Sequence, residues 1–297
     1  MSSMLSKSKR PYDASEMSPG KRLRANVVDL YANNVLAASR CQELINDASG
    51  AGASGLGDLR RQRSQNTSRF LRKAFEKRSQ WPKDYWAQVR VKKPKTDEEE
   101  WSWCALCLPH EYLQMLARLG DREVLHDRAG LAAASLAHLQ SCEAKAGQQL
   151  VAMGLWGDGV PTQWDRTETV EAVSLNLPGQ SGKWAPMRLP VTAFPRRRVS
   201  ENTWDDVLSV VAWSLQHAAV GVHPSCRHDG SAWLSSDRLR AKSSGERALA
   251  RAALVEVRGD WVFFAEVFGF PRHNMSSGIC WRCRATPAEA RDQTRPC

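Results

Sequence analysis

The chain has 297 residues and a formal net charge of +10, from 42 Lys and Arg against 32 Asp and Glu. That is material for one large domain or two ordinary ones, and no apolar run reaches the length of a membrane span, which excludes a transmembrane reading. The excess positive charge is confined to one end: residues 1–95 hold 20 Lys and Arg against 8 Asp and Glu, and residues 96–297 hold 22 against 24. A basic arm on a near-neutral body suits a polyanion, most simply nucleic acid. The N-terminus lacks a signal-peptide apolar core, so the chain is expected in a reducing compartment. Its eight cysteines then read as thiols or metal ligands, not as a disulfide framework.

Lys7-Ser8-Lys9-Arg10 and Lys21-Arg22-Leu23-Arg24 are two basic clusters separated by ten residues. The spacing is that of a bipartite nuclear import signal, with Lys9, Arg10, Lys21, Arg22 and Arg24 facing the import receptor. Pro11, Pro19 and Gly20 are expected to keep the segment extended. Residues 27–48 repeat Val27, Val28, Tyr31, Val35, Ala38, Cys41 and Ile45 at helical spacing, which predicts one amphipathic helix. The Gly- and Ala-rich stretch 50–57 reads as a flexible linker. Residues 58–79 predict a second helix with Arg60, Arg61, Arg63, Arg69, Arg72, Lys73, Lys77 and Arg78. That set is either a solvated basic face or a phosphate-contacting one.

Lys92 to Glu100 switches sign within a loop and marks a boundary. Of the twelve tryptophans, most belong to a core, while Trp81, Trp86, Trp101 and Trp103 lie in this charged region, where stacking on nucleic acid is available to them. Cys104 and Cys107 have metal-ligand spacing, but their apolar surroundings favour half-buried thiols over zinc. Pro109 opens a helix with Leu113, Leu116 and Leu119, and residues 131–146 predict another, ending near Gly147.

From Leu150 the pattern changes to alternation. Leu150 to Met153 approaches Gly157-Asp158-Gly159, which reads either as an Asp-Gly turn or as a buried strand ending in a carboxylate that its glycines leave approachable. Val170 to Leu177 predicts a second strand, and Met187 to Phe194 a third that Pro190 weakens. Asn202 or Thr203 caps a helix whose first turn carries Asp205 and Asp206 and whose inner face is Trp204, Val207, Leu208, Val211, Leu215 and Ala218. After a polar excursion at 223–247, Ala252 to Val257 predicts a fourth strand, followed by Asp260.

Three strands, a helix and a strand, with a carboxylate after the first and after the fourth, is the order of the ribonuclease-H-like fold. The chemistry explains the residue type, because Mg²⁺ takes oxygen ligands and a metal pair can serve both oxygens of a phosphodiester displacement. Residues 155–283 resemble the catalytic core of CACTA-type (En/Spm) DNA transposases. The matching pieces are Asp158-Gly159, Leu177-Pro178-Gly179, Asp205 to Leu208 leading to Val220-Gly221-Val222, Arg251 to Leu254 before Asp260, and Cys280-Trp281-Arg282-Cys283. The resemblance implies a Mg-dependent strand transferase of the DDE/DDD type, with Asp158 and Asp260 as the first two metal-binding, catalytic acids and DNA as the partner. The family's third acid lies beyond its cysteine insertion, where Glu289 and Asp292 fall too close to the cysteines to match. The chain is therefore expected to be a truncated element copy whose activity stays open.

Cys280 and Cys283 are half of a zinc site, for which Cys226, His228, His273 and Cys297 are candidate partners. The expected organisation is a tail with the import signal and linker at 1–57, a basic and then Ala/Leu-rich helical region at 58–149, an α/β ribonuclease-H-like mixed sheet at 150–279, and a truncated cysteine knuckle at 280–297. A nuclear, transposon-derived DNA-binding protein is the first functional reading. A noncatalytic nuclear nucleic-acid binder using the basic arm and a zinc knuckle is the alternative.

Overall fold

Pro19 begins a helix instead of holding the chain extended. In the structure, a computed structural model, residues 18–32, 35–56, 59, 67–78, 81–119, 125–161, 168–181 and 187–271 are described. Two compact units, Met1–Trp81 and Pro82–Cys297, divide the chain, so the division falls at neither 57/58 nor 149/150.

The first unit contains α1 (Pro19–Ala32), α2 (Ala38–Gly50) and α3 (Thr67–Arg78). Pro19 stands at the first helical position, where its missing N–H costs nothing. Lys21, Arg22 and Arg24 therefore lie within a helix, which corrects the expectation of an extended second basic cluster; Lys9 and Arg10 lie outside the described residues. The single helix expected over 27–48 is two, and Val35, placed on the apolar stripe, is exposed between them. Val27, Val28, Cys41, Ile45, Leu56, Leu59 and Leu71 form one core. Leu56 belongs to the stretch read as a flexible linker. That stretch sits so close to α1 that a Cβ on Gly20 would overlap the Ser54 carbonyl oxygen.

The second unit starts with a hairpin, where a boundary loop within a helical region was expected. Strand β1 (Tyr85–Lys92) pairs antiparallel with β2 (Glu99–Leu106). Tyr85, Ala87, Val89, Val91 and Leu106 turn inward at period two. Helix α4 (Pro109–Leu119) follows, then α5 (Ala133–Ala146), which Gly147 ends in the left-handed region at φ 65°.

The main sheet comprises β3 (Val151–Pro161), β4 (Thr169–Asn176), β5 (Leu189–Pro195) and β6 (Ala252–Gly259) in the order β5-β4-β3-β6. β3–β4 and β4–β5 are antiparallel, and β3–β6 is parallel. A parallel neighbour needs a crossover, supplied here by α6 (Thr203–Val220) and the excursion after it. Pro190 is tolerated because β5 lies at the sheet edge. Val151, Met153, Leu155, Val173 and Leu175 pack on one face with Val207 and Val211 of α6. On the other face Leu150, Ala152 and Ala253 meet Leu139 of α5. Between Met153 and Gly154 the register shifts, leaving Val255 of β6 without an opposite number. The architecture is mixed α/β around a mixed sheet.

The start of α6 differs from expectation. Asn202 makes no side-chain cap and bonds Glu99 instead, while Thr203 Oγ1 accepts from Ser200 N and donates to the Arg90 carbonyl. Asp206 takes both a backbone and a bidentate guanidinium contact from Arg90, at 2.7–2.9 Å, tying α6 to β1. The polar excursion holds a short α7 (Arg238–Lys242), and α8 (Trp261–Phe268) follows β6.

Candidate functional site

Asp158 is not in a turn. It lies within β3, opposite Ala172 of β4, and the strand continues to Pro161. On the other side of β3 the parallel pairing with β6 ends at Gly157 and Gly259. The next residues are Asp158, still within β3, and Asp260, which follows the end of β6. Neighbouring strands lie about 5 Å apart, so the two acids leave adjacent backbones where the parallel pairing ends, toward the carboxyl edge at which open α/β sheets place ligands.

Their environments differ. Half-buried Asp158 makes no hydrogen bond or ion pair among the described residues. Asp260 caps α8, with Oδ1 accepting from Phe263 N at 2.6 Å, which leaves Oδ2 outside the cap. The glycines around Asp158, read as room for an approaching ligand, are filled from within. A Cβ on Gly157 or Gly259 would collide with the Phe263 ring. A Cβ on Gly159 would stand 3.2 Å from both oxygens of Glu171.

Glu171 was not anticipated. It is directly opposite Gly159, almost buried, and flanked by Arg196 at 3.4 Å, which in turn holds Glu266 of α8 at 2.6 Å. Glu171 Oε1 is buried and has no hydrogen bond among the described residues. Burial pushes the carboxyl up; Arg196 pulls against this, and Glu266, Asp260 and Asp158 add like charge. A signal existed in the sequence, since Glu171, Val173 and Leu175 share a period-two phase that puts a carboxylate in line with core residues. A second polar ladder spans Gly154, where Asn176 Nδ2 donates to Glu256 Oε1 at 3.1 Å and Arg258 pairs with Glu256 at 2.8 Å.

Among the described residues no three His, Cys, Asp or Glu gather closely enough to hold a metal ion. The donor set of Asp158 and Asp260 is all carboxylate oxygen, the ligand type that Mg²⁺ takes. Cys280 and Cys283 lie outside the described residues, as do His273 and Cys297. Of the other zinc candidates, His228 Nδ1 is 2.7 Å from the Tyr85 hydroxyl and Cys226 is a half-buried free thiol. Cys104 and Cys107 are half-buried free thiols whose ionisation burial pushes up.

Of the basic set, Arg69 is exposed on α3, and Arg72, Lys73, Lys77 and Arg78 belong to the same helix; Arg60, Arg61 and Arg63 lie outside the described residues. No helix among the described residues is long and apolar enough to cross a membrane. No family model, curated protein or solved structure matches this chain.

Proposed function

We propose that the second unit is a ribonuclease-H-like core from a CACTA-type DNA transposase, in a nuclear DNA-binding protein derived from a transposable element. The supporting observation is the register of β3 and β6, which sets Asp158 beside Asp260 in a sheet ordered β5-β4-β3-β6, with α6 in the crossover. Asp158 and Asp260 Oδ2 would hold Mg²⁺, which when bound polarises a phosphodiester. Asp158 offers a carboxylate without competing partners among the described residues. Asp260 is oriented by its cap, and Phe263 over the two glycines shields the strand ends from water. The basic residues of α3 supply contacts to DNA phosphates.

Two measurements test this. Manganese binding by the full chain, read by electron paramagnetic resonance, should weaken at least tenfold in Asp158→Asn; no binding by the unmodified chain would defeat the metal reading. Nicking of supercoiled DNA with Mg²⁺ or Mn²⁺, lost in the same variant, would establish a catalyst. Metal binding without nicking fits an incomplete enzyme.

The alternative, noncatalytic nucleic-acid binding assisted by a zinc knuckle at Cys280 and Cys283, draws support from the Asp260 cap and from the intramolecular filling of the glycines. Salt-sensitive DNA binding with neither metal binding nor nicking would select it. Nuclear import through Lys9, Arg10, Lys21, Arg22 and Arg24 belongs to both readings. Because the second cluster is helical, a receptor that reads extended chain must first open the start of α1.

A further inference from the structure

The outer face of the β1–β2 hairpin carries an unusual surface. Trp86, Trp101 and Trp103 point away from the core and are 46%, 61% and 50% exposed. In the pairing, Trp101 lies opposite Arg90, Trp103 opposite Gln88, and Trp86 one step further along the same face, opposite Ala105. Arg90 lays its guanidinium 5.4 Å from the Trp101 ring centre. Burying the three rings would remove roughly 400 Å² from water, the scale at which an exposed apolar patch usually has a use.

We propose that this face is a stacking platform for single-stranded nucleic acid. Size and side-chain chemistry both favour that occupant over a protein. A stable protein interface needs about 800 Å² per partner, twice what the rings offer, whereas a few unpaired bases need no more than this. Protein-docking cores are depleted of charge, but here Arg90 and Lys92, together with Gln88, share the face with the indoles. Trp101 and Trp103 stand two residues apart on β2, about 7 Å along the strand and close to two stacked-base rises.

The charge is compatible with a polyanion. Glu99 on this face is held by Asn202 Nδ2 at 3.0 and 3.1 Å, and Glu100 by Arg198 at 2.8 Å. At the turn, Lys92 and Lys93 meet Asp97 and Glu98, and Lys95 makes no ion pair among the described residues. Because Arg90 is already neutralised by Asp206, stacking must dominate over phosphate pairing. The platform should therefore bind with a shallow salt dependence, in contrast to the steep one expected of the α3 cations. The proposal does not depend on the Asp158–Asp260 reading, because it concerns different residues and requires no metal.

The test uses the full chain and labelled oligothymidylate, followed by fluorescence anisotropy at low and raised salt. Trp101→Ala should weaken oligothymidylate binding about tenfold, and the Trp86→Ala/Trp101→Ala/Trp103→Ala variant should abolish it, with duplex binding unchanged. Unchanged oligothymidylate affinity, or equal losses on single and double strands, would overturn the platform. Loss of self-association in place of oligonucleotide binding would assign the face to a second copy and also overturn it. In the unmodified chain, bound oligothymidylate should protect these tryptophans from N-bromosuccinimide, read by mass spectrometry. Full oxidation in its presence would count against the proposal whether or not the variants fold.

Discussion

Around Tyr85 every buried charge in the network meets its opposite. Arg227 pairs with Asp237 at 2.7 Å, Arg240 with Asp237 at 2.6 Å, and Arg240 holds both oxygens of Glu111 at 2.6 and 2.9 Å. Arg227 and Arg240 also lie 4.7 and 5.3 Å from the Tyr85 ring centre, and burial pushes the Tyr85 hydroxyl up to about 12. Where the pairing of β3 with β6 ends the pattern reverses. Asp158, Glu171, Asp260 and Glu266 share an electrostatic neighbourhood in which Arg196 is the counter-charge contacting Glu171 and Glu266. The first region fastens the excursion between α6 and β6 to β1 and α4. Among the described residues the second gathers more acids than counter-charges, and such places are where function is sought.

The contrast can be broken most sharply at Asp237. Asp237→Ala leaves Arg227 buried without its partner and should cost about 3–5 kcal/mol in urea denaturation. A loss below about 1 kcal/mol would mean that the network is not a fastening.

The two regions should also answer pH in opposite directions. Buried His110, bonded to Ser214 and near His217, His223 and Arg240, is held down to about 3, chiefly by burial. The unfolded chain takes up that proton near pH 6.5, so its contribution to stability falls as pH drops from about 6.5 toward 3. Glu171 is raised, so its contribution is full below its ordinary value of 4.5 and is lost as pH rises through its folded value. Glu171→Gln should therefore raise the melting temperature at pH 7 and leave it nearly unchanged at pH 4. Stabilisation of equal size at both would show that charge is not the cause.

Smaller effects separate the two aspartates. Asp260→Ala should cost about 1 kcal/mol through the lost cap, and Asp260→Asn much less, because asparagine caps as well. Equal losses in the two variants would remove the cap from the account. The smallest change expected is for Asp158→Asn, within about 0.5 kcal/mol of the parent by chemical denaturation. A larger loss would make Asp158 a structural residue.

Much of the main sheet was legible from alternation. The strands expected at Val170 to Leu177, Met187 to Phe194 and Ala252 to Val257 are β4, β5 and β6 with their ends displaced by one or two residues, and Trp204, Val207 and Val211 are on the inner face of α6. The hairpin was missed because its outward positions, Trp86 to Lys92 and Glu99 to Trp103, mimic a charged boundary. The period-two row Tyr85, Ala87, Val89 and Val91 was present but interleaved with them. The ordered Gly-rich stretch was illegible for another reason. Its order comes from Leu56 in the core and from the missing Cβ of Gly20, a contact between segments distant in sequence. Glu171 stayed hidden because its strand could be read in either phase.

The unpaired Val255 has an arithmetic consequence. Before it, β3 and β6 keep step with Met153 opposite Leu254, an offset of 101 residues; after it, Gly157 faces Gly259, an offset of 102. Carried through unshifted, the first count would seat Gly259 beside Asp158 and leave Asp260 one place on, with the opposite pleat. One supernumerary residue thus acts as a vernier that sets two acids, over a hundred positions apart in the chain, each one step past the last paired row.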